Sequence, residues 1–366
     1  MKEASDLYIG IMSGTSLDGI DVALVDFAGD RAQLLASHYQ PYPQSLKDVL
    51  LGLHQPGFDE IHRTQLAAIT LAHAYADASL ALLIKAGISA DHIQAIGCHG
   101  QTIRHRPEQG YTVQIGNAAL LAELTGIHVV SDFRSRDIAA GGQGAPLVPA
   151  FHDTVLRHPA IHRAVLNLGG IANLTDLPPG RGTTGFDTGP GNLLMDGWIN
   201  KHQGRPYDKN GEWAASGKCI PDLLQRMLAE TYFSELPPKS TGRDLFNLAW
   251  LENLLAGPES PADIQATLLA LTSDSVADAV NRFCAGAEEL YLCGGGAHNS
   301  ALISRLQQQL PHCRIQKTDA LGIPADWMEA IAFAWLARQS MHLRAGNLPA
   351  ATGASHSCVL GAIHPA

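Results

Sequence analysis

Short apolar runs that end in glycine-rich turns recur along this chain, and they restrict the possible folds more than any other feature. The first example is "IGIMSGTSLDGIDVALVDF" (9–27), in which two strand-like runs enclose a polar turn. The stretches "NLGGIAN" (167–173) and "CGGGAHN" (293–299) each follow an apolar run in the same manner. Ligands of open α/β sheets bind at the carboxyl ends of strands, where such turns collect. The pattern therefore predicts an α/β protein in which three glycine turns share one ligand.

Strand-like runs alternate with helical stretches along the chain. The first strands are predicted over 7–12, 20–27 and 32–39. A helix follows, with one apolar face formed by Leu66, Ile69, Ala76, Leu80 and Leu83. The second half repeats this outline, because "AVLNLGGIANLTDL" (164–177) is again strand, glycine turn and strand, and helices dominate 192–286. No sequence identity at a fixed period accompanies the repeat, so we interpret it as architectural.

The length of 366 residues predicts two domains, because one ordinary core does not grow to that size. The stretch "DIAAGGQGAPLVPA" (137–150) breaks the alternation with glycine and proline, and it could form a hinge or a substrate loop. We therefore predict a first domain over 1–140 and a second over 141–344.

Composition excludes several classes of function. The chain has 35 acidic and 25 basic residues, a net charge of -10 and no long basic cluster, which disfavours a nucleic-acid surface and favours a small-molecule partner. No uninterrupted apolar run approaches the roughly 20 residues that span a bilayer, so we expect a cytoplasmic protein without membrane contact. The six cysteines form no CxxC pair, which predicts reduced, largely buried thiols.

The turn in 13–18 has the chemistry of a phosphate cradle. Thr15 and Ser16 offer hydroxyl groups, while Gly14 and Gly19 allow the backbone to turn sharply and expose its amides. The turn is not a Walker loop, because GxxxxGK[ST] is absent and a strand follows it. A plain hairpin loop with solvated polar residues is the alternative. For the third glycine turn, the alternative is a close packing joint between strand and helix.

Taken together, these motifs resemble the sugar kinase, Hsp70 and actin superfamily, and the whole chain resembles the anhydro-N-acetylmuramic acid kinase family of bacterial cell-wall recycling enzymes. The resemblance extends over nearly all of the chain and is specific in combination. It is carried by "MSGTSLDGID" (12–21), "GCHGQTIRH" (97–105), "TVQIGN" (112–117), "DFRSRDIAAGGQGAPLVPAFH" (132–152), "GFDTGPGNLLMD" (185–196), "KSTGRDLFN" (239–247), "CGGGAHN" (293–299) and "DWMEAIAFAWLA" (326–337).

The resemblance implies an α/β fold of two RNase H-like domains of the actin-like ATPase superfamily, with ATP in an interdomain cleft. It also implies Mg2+ as a cofactor, a homodimer, and a C-terminal segment (345–366) that returns to the first domain. The superfamily often has an aspartate two residues before the first glycine, where this chain has Met12. The resemblance therefore does not decide which residues bind the metal, and the candidates are Asp18, Asp21 and Asp187. The residues that the resemblance assigns to ATP are Gly14, Thr15, Ser16, Leu17, Asp18, Gly19, Ile20, Asp21, Gly169, Gly170, Gly294, Gly295 and Gly296.

Asp187 in "GFDTGPGN" is the predicted catalytic residue, since the family uses an aspartate of this motif as its base. The implied substrate is a 1,6-anhydro sugar, whose O6 is locked in an internal ring. If a base activates water against the anomeric carbon, O6 leaves with negative charge and can accept the γ-phosphoryl group. The alternative for Asp187 is an Asx turn that stabilises the glycine loop.

Four further residues are predicted to bind the sugar: His99, Gln101, Arg134 and Glu329. Arginine suits the lactyl carboxylate of N-acetylmuramic acid, although Arg134, Arg136 and Asp137 could instead form a surface ion pair. Local backbone contacts are the alternative for His99 and Gln101. The motif "KSTGRDLFN" is interpreted as an anion site at a helix start or as a solvated cap. A zinc site at Cys98, His99 and His105 is disfavoured by its spacing.

The sequence therefore predicts an ATP-dependent kinase that opens 1,6-anhydro-N-acetylmuramic acid by hydrolysis and phosphorylates its O6. A conventional kinase acting on an amino-sugar hydroxyl is the alternative, because it would share the same ATP site. A nucleotide-dependent chaperone or filament protein would bind ATP without sugar-dependent turnover. A sugar sensor would bind sugar without consuming ATP.

Overall fold

The computed structural model describes residues 6–14 and 16–366, apart from the side chain of Asp30. The described residues form 13 strands: β1 (Leu7–Met12), β2 (Gly19–Asp26), β3 (Gln33–Pro41), β4 (Ile93–Cys98), β5 (Gln101–Arg106), β6 (Tyr111–Ile115), β7 (Val129–Ser131), β8 (Arg163–Leu168), β9 (Ile171–Leu177), β10 (Thr184–Pro190), β11 (Glu289–Cys293), β12 (Arg314–Lys317) and β13 (Ala362–His364).

The same residues form 14 α-helices: α1 (Gln44–Gly52), α2 (Glu60–Ala86), α3 (Ala118–Thr125), α4 (Ser135–Ala139), α5 (Val148–Leu156), α6 (Leu193–Gln203), α7 (Glu212–Ser216), α8 (Pro221–Leu228), α9 (Thr231–Ser234), α10 (Leu248–Leu254), α11 (Pro261–Phe283), α12 (Ser300–Gln309), α13 (Met328–Met341) and α14 (Pro349–Thr352). Strands and helices alternate through most of the chain. The protein is therefore of the α/β class, as the sequence predicts.

Contacts within the chain divide it into two compact units. One comprises Met1–Phe151 together with Trp327–Ala366, and the other comprises His152–Asp326. These boundaries differ from the predicted ones at 140 and 344. The glycine-rich stretch lies inside the first unit, and α13 also belongs to that unit because it packs against β1 and β4.

The main sheet of the first unit has six strands in the order β13-β7-β4-β1-β2-β3. β1, β2 and β3 form an antiparallel meander, whereas β4 runs parallel to β1 and β7 runs parallel to β4. β5 and β6 form a separate hairpin. The loop after β1 and the chain after β4 thus leave the sheet at the same edge.

The sheet of the second unit repeats this topology with five strands in the order β10-β9-β8-β11-β12. β8, β9 and β10 are antiparallel neighbours, and β8, β11 and β12 run parallel. Three antiparallel strands followed by parallel ones is the strand order of the RNase H-like fold, and both units have it. The architectural repeat and the fold predicted from the sequence are confirmed.

Two glycines allow α13 to lie directly on the first sheet. A Cβ atom at Gly10 would collide with the carbonyl oxygen of Ala330, and one at Gly97 would collide with that of Phe333. Only glycine permits a backbone approach this close. Since Gly10 faces Ala330 while Asp6 binds Arg338, the helix begins at the carboxyl end of β1.

Helix α2 is long and apolar enough, by length and composition, to cross a membrane, but 56% of its most apolar window is buried within the protein. The predicted apolar face is partly wrong, because Leu66, Ile69 and Leu80 are exposed. The helix instead buries a row that includes Leu71 and Tyr75. Apolar residues occur on several sides of α2, so periodicity alone did not identify the side that meets the sheet.

The C-terminal segment completes the first unit. β13 pairs with β7 in antiparallel register, Ala362 opposite Ser131. The fully buried carboxylate of Asp137 accepts hydrogen bonds from the Gly144 amide at 2.8 Å, from Asn347 Nδ2 at 2.8 Å and from Thr352 Oγ1 at 2.7 Å. Asp137 therefore joins the glycine-rich stretch to the C-terminal segment and does not form the surface ion pair considered above.

The six cysteines are free thiols, and all except Cys219 are buried. This confirms the expectation from the sequence. Burial raises the pKa of the Cys98 thiol to about 12, so this thiol stays protonated and behaves as an apolar core residue.

Candidate active site

The glycine hairpin of the first unit is a tight turn between β1 and β2. The Leu17 amide donates to the Gly14 carbonyl oxygen at 3.2 Å, and Leu17 adopts a φ of 60° with its side chain buried. The side chains of Ser16 and Asp18 are exposed on either side of it. Thr15, which the sequence assigns to ATP, lies outside the described residues. A backbone hydrogen bond and the buried Leu17 side chain thus stabilise the turn, while its polar side chains face the solvent.

Three of the predicted substrate residues surround the base of this hairpin. Gln101 Nε2 donates to the Gly14 carbonyl oxygen at 3.1 Å, and His99 Nδ1 lies 3.3 Å from the Ser13 carbonyl oxygen. Arg134 reaches His99 Nε2 with Nε at 3.1 Å and Nη2 at 2.9 Å. Because arginine only donates, His99 Nε2 must accept and Nδ1 must carry the proton.

His99 is therefore a neutral positioning group. Burial and the adjacent Arg134 guanidinium lower the pKa of its imidazole to about 3. Its ring packs against Phe333, with 4.8 Å between ring centroids. The structure thus gives His99, Gln101 and Arg134 local contacts that support the hairpin. The buried Gln101 Oε1 has no partner among the described residues and can still accept a hydrogen bond from a ligand.

Glu329 lies half-buried in the first turn of α13. Since α13 begins at the carboxyl end of β1, Glu329 is at the same sheet edge as the hairpin and His99. The first unit therefore assembles four predicted site residues at one edge of its sheet: His99, Gln101, Arg134 and Glu329.

In the second unit, Asp187 belongs to a row of polar residues that runs across three strands. Asn167 on β8 lies opposite Asn173 on β9, and Asn173 lies opposite Asp187 on β10. Directly opposite residues of antiparallel strands share a face of the sheet. The Oδ1 atoms of Asn167 and Asn173 are buried, with no hydrogen-bond partner among the described residues. Such unpaired acceptors are costly and mark a place where a ligand can supply the missing donor or cation.

Asp187 itself is held by three groups from residues 232–241. Its amide donates to the Lys239 carbonyl oxygen at 3.1 Å, and its Oδ2 accepts from the Thr241 amide at 3.0 Å. Its carbonyl oxygen accepts from the Tyr232 hydroxyl at 2.7 Å. The pairing of β10 with β9 shifts register immediately after Asp187, which identifies a β-bulge at Thr188. Bulges of this kind re-aim side chains and are frequent beside active sites.

Burial shapes the chemistry of the groups around Asp187. The pKa of Tyr232 is raised by burial and by the nearby Asp187 carboxylate, so its hydroxyl remains a donor. Lys239 Nζ donates to the Tyr232 carbonyl oxygen at 2.9 Å and lies 4.5 Å from the Tyr232 ring centroid. Burial lowers the pKa of Lys239. Thr241 Oγ1 is a further buried oxygen atom with no hydrogen-bond partner among the described residues.

The glycine turns of the second unit meet at the end of β8. The Gly191 amide donates to the Gly170 carbonyl oxygen at 2.9 Å, and the Asn192 amide donates to that of Gly169 at 2.8 Å. A Cβ atom at Gly296 would lie 2.6 Å from Leu168 Cβ. The turns at 169–170 and 294–296, together with the glycine turn at Gly191 that follows β10, therefore form one cluster.

The turn after β11 also has the packing role that the sequence left open. Gly294 adopts a φ of 77°, and a Cβ atom there would collide with Asn167 Oδ1. Gly295 has open space where its side chain would be. Gly294 and Gly296 thus allow β11 and β8 to approach closely, while Gly295 faces outward.

The "KSTGRDLFN" motif does not begin a helix. Residues 239–247 form a loop, and α10 begins at Leu248 with Asn247 as its N-cap, whose side chain accepts from the Trp250 amide. The first residues of the motif, Lys239 and Thr241, contact Asp187 instead. The sequence indicated a functional segment there but did not show that it contacts Asp187, because the contact of the Thr241 amide spans 54 positions.

No group of three or more His, Cys, Asp or Glu side chains that could hold a metal ion occurs among residues 6–14 and 16–366. Mg2+ prefers oxygen ligands and keeps several waters. The unpartnered amide oxygen atoms of Asn167 and Asn173 have the chemistry that such an ion requires.

Comparison with known proteins identifies a family whose members match nearly the whole chain. A sequence profile described as "AnmK: Anhydro-N-acetylmuramic acid kinase" matches residues 6–366. Proteins named anhydro-N-acetylmuramic acid kinase from Thiobacillus denitrificans and Nitrosomonas europaea are 60% and 59% identical to this chain. The matches cover 98% of this chain in both cases and 97% and 99% of the two relatives.

Solved structures with a similar arrangement are more distant. An activator of 2-hydroxyisocaproyl-CoA dehydratase from Clostridium difficile, with bound ADPNP, is 12% identical with a TM-score of 0.46, and covers 92% of this chain and 97% of its own. A ROK family glucokinase from Streptomyces griseus, in complex with glucose and AMPPNP, is 14% identical with a TM-score of 0.42, and covers 91% of this chain and 99% of its own.

Proposed function

Because the chain belongs to the anhydro-N-acetylmuramic acid kinase family, we propose that it converts 1,6-anhydro-N-acetylmuramic acid and ATP into N-acetylmuramic acid 6-phosphate and ADP in cell-wall recycling. The observation that carries the proposal is the row of Asn167, Asn173 and Asp187 beside a cluster of glycine turns. In this row the Asp187 carboxylate lies next to buried amide oxygen atoms that have no donor within residues 6–14 and 16–366.

Asp187 is the proposed general base. It takes a proton from a water molecule, and that water forms a bond to the anomeric carbon. The bond between the anomeric carbon and O6 breaks, and O6 forms a bond to the γ-phosphorus while ADP leaves. Ring opening and phosphorylation are thus coupled, and a positioned base typically contributes about 10²- to 10⁴-fold to such a reaction.

Backbone amides are the proposed ligands of the ATP phosphates. They would come from the hairpin at 14–21 and from the glycine turns at 169–170 and 294–296, because phosphoryl transfer needs mainly alignment and charge neutralisation. When bound, Mg2+ neutralises phosphate charge, and the amide oxygen atoms of Asn167 and Asn173 would hold it. His99, Gln101, Arg134 and Glu329 are the proposed contacts of the sugar.

Isotope labelling tests the reaction directly. The protein is incubated with 1,6-anhydro-N-acetylmuramic acid, ATP and Mg2+ in 18O water, and the sugar product is weighed by mass spectrometry. We expect one 18O atom at the anomeric position and the phosphate on O6. A phosphorylated sugar without label would instead indicate a conventional hydroxyl kinase, and the absence of any product would reject the proposal.

The role of Asp187 is tested by Asp187→Asn. We expect a loss of at least about 10²-fold in kcat, since the amide cannot accept the proton at its nitrogen. The thermal unfolding midpoint should change little, because Asn retains an oxygen for the Thr241 amide. A fully active variant would remove Asp187 from the mechanism.

The family resemblance also supports a homodimer in the cytoplasm. Light scattering coupled to gel filtration measures the mass in solution. We expect twice the chain mass of 38.9 kDa, and a single-chain mass would contradict the dimer.

A further inference from the structure

We propose that the segment from Tyr232 to Thr241 is the positioning element of the catalytic base and that the Tyr232 hydroxyl acts on the reaction only through Asp187. The inference rests on the proposed role of Asp187 and goes beyond it. It assigns a function to residues outside the motif that contains the aspartate.

The contacts between this segment and Asp187 are numerous and specific. The segment binds the amide of Asp187 through the Lys239 carbonyl oxygen, its carbonyl oxygen through the Tyr232 hydroxyl, and its Oδ2 through the Thr241 amide. Both backbone groups of Asp187 and one carboxylate oxygen are thus fixed by one stretch of chain. A carboxylate restrained in this way cannot turn about its side-chain bonds without losing the hydrogen bond from the Thr241 amide.

The β-bulge explains why such support is needed. At a bulge the ladder of β10 with β9 is interrupted, so the sheet alone does not fix the direction of the Asp187 side chain. Gly189 follows with a φ of 144°, and a Cβ atom there would lie 2.7 Å from Phe233 Cε1. α9 therefore packs directly on the bulge. This packing restrains the backbone of β10 where its hydrogen bonds to β9 are interrupted.

The segment is in turn anchored in the core. Tyr232 is 4% exposed, and its ring packs edge-on against Phe246 at 5.7 Å between centroids. Lys239 Nζ binds the Tyr232 carbonyl oxygen and stacks on its ring, which joins the two ends of the segment. The restraint on Asp187 thus extends to rigid elements, as a precisely placed catalytic group requires.

The first variant is Tyr232→Phe, which removes one hydroxyl and keeps the ring against Phe246 and Lys239. We expect kcat to fall about tenfold, because small displacements of a catalytic group are costly. The KM for ATP should stay within about twofold, since the hydroxyl donates to the carbonyl oxygen of Asp187, which is not a group assigned to ATP. If the wild-type protein turns over the sugar and Tyr232→Phe leaves kcat unchanged, the inference is overturned. If the wild-type protein itself is inactive, the proposed function is overturned.

Tyr291→Phe is the matched control. Tyr291 is 2% exposed in the same unit, and its hydroxyl donates to Glu289 Oε2 at 2.8 Å. This variant loses one buried donor in the same way and should lower the unfolding midpoint without changing kcat. If both variants lose kcat in proportion to their loss of stability, the role of Tyr232 is only structural and the inference fails.

A double-mutant cycle with Asp187→Glu distinguishes positioning from stability. Glutamate keeps a carboxylate but moves it, so the restraint by Tyr232 no longer aims the reacting group. In that background Tyr232→Phe should cost less than about twofold in kcat, because residues that act as a unit are not additive. The same tenfold loss in both backgrounds would contradict an action through Asp187.

Thr241→Pro provides a second test if Tyr232→Phe does not yield folded protein. Proline removes the amide hydrogen that Asp187 Oδ2 accepts. We expect a larger loss of kcat than for Tyr232→Phe, again with little change in the KM for ATP. A folded Thr241→Pro variant with wild-type kcat would overturn the inference.

Discussion

His99 is a single residue whose environment determines how the stability of the first unit depends on pH. Its imidazole is nearly inaccessible to solvent and is hydrogen-bonded to Ser13 and Arg134 in its neutral form. The pKa is about 3 in the folded chain, against an ordinary value of 6.5. Protonation therefore favours the unfolded chain as the pH falls below 6.5, and the stabilising contribution is complete only above that value.

We predict that the free energy of unfolding decreases as the pH is lowered from 6.5 towards 3. His99→Gln, which keeps an acceptor for Arg134, should reduce this slope by as much as about 1.4 kcal/mol per pH unit. Urea unfolding of both proteins at pH 7.5, 5.5 and 4.5 measures it. If the free energy of unfolding has the same pH dependence in both proteins, the prediction is contradicted. The variant should keep part of this dependence, because it retains His152, whose pKa is also lowered to about 3 by burial.

Single residues also show what the sequence could and could not predict about the site. Asp187 could be predicted as the catalytic residue because its motif is local, and that role stays a prediction. Tyr232 and Thr241 were not identified as its partners, since their contacts depend on how a distant loop folds back onto β10. For His99 and Arg134, the residue types predicted a polar site, but only the structure revealed that they bind each other.

Among the elements, the turn after β11 has two neighbouring glycines with opposite requirements. A Cβ atom at Gly296 would lie 2.6 Å from Leu168 Cβ, whereas one at Gly295 would meet nothing within 4 Å. The backbone near Gly296 must move to accept any side chain. Gly295 has a φ outside the range that favours glycine, so alanine fits there.

We therefore predict that Gly296→Ala destabilises the protein by about 1–3 kcal/mol through overpacking. Gly295→Ala is the control, and its unfolding midpoint should lie within about 1 °C of wild type because surface substitutions without new contacts cost little. Thermal unfolding monitored by circular dichroism compares the two. Equal thermal unfolding midpoints for both variants would show that β8 and β11 can move apart without a loss of stability.

Elements were predicted well where their pattern was local. The strand predicted over 7–12 has the bounds of β1, and those predicted over 20–27 and 32–39 differ from β2 and β3 by two residues at most. The buried side of α2 was predicted only in part, with Ala76 and Leu83 buried but Leu66, Ile69 and Leu80 exposed, because alanine and leucine occur on several of its faces. Which side is buried depends on the sheet that covers the helix, and that information is not local.

For the whole molecule, Asp137 connects segments that are far apart in sequence. It binds Asn347 and Thr352, which lie 210 and 215 positions away, as well as the nearby Gly144 amide. Periodicity cannot reveal such a contact. The predicted domain limits differ from the observed ones for the same reason, since the place of α13 depends on Gly10 and Gly97 near the other end of the chain.

We predict that Asp137→Asn lowers the free energy of unfolding by about 2–4 kcal/mol, because the amide nitrogen would face an N–H group in either orientation, that of Gly144 or that of Asn347, and neither can accept. Asp132→Asn is the matched control in the same segment. Asp132 is exposed with a φ of 57°, a conformation that asparagine adopts readily, so a change below about 0.5 kcal/mol is expected. Urea unfolding measures both, and a neutral Asp137→Asn would show that the C-terminal segment is held by other contacts.

The division of the first unit between two distant segments has a consequence for biosynthesis. The ribosome finishes the whole of 152–326 before it has made α13, the helix that covers β1 and β4. The later half of the gene product can therefore acquire its native form while the earlier half still exposes an uncovered sheet. Nascent chains halted near residue 326 should thus recruit chaperones through the N-terminal residues of the first unit, not through residues 152–326.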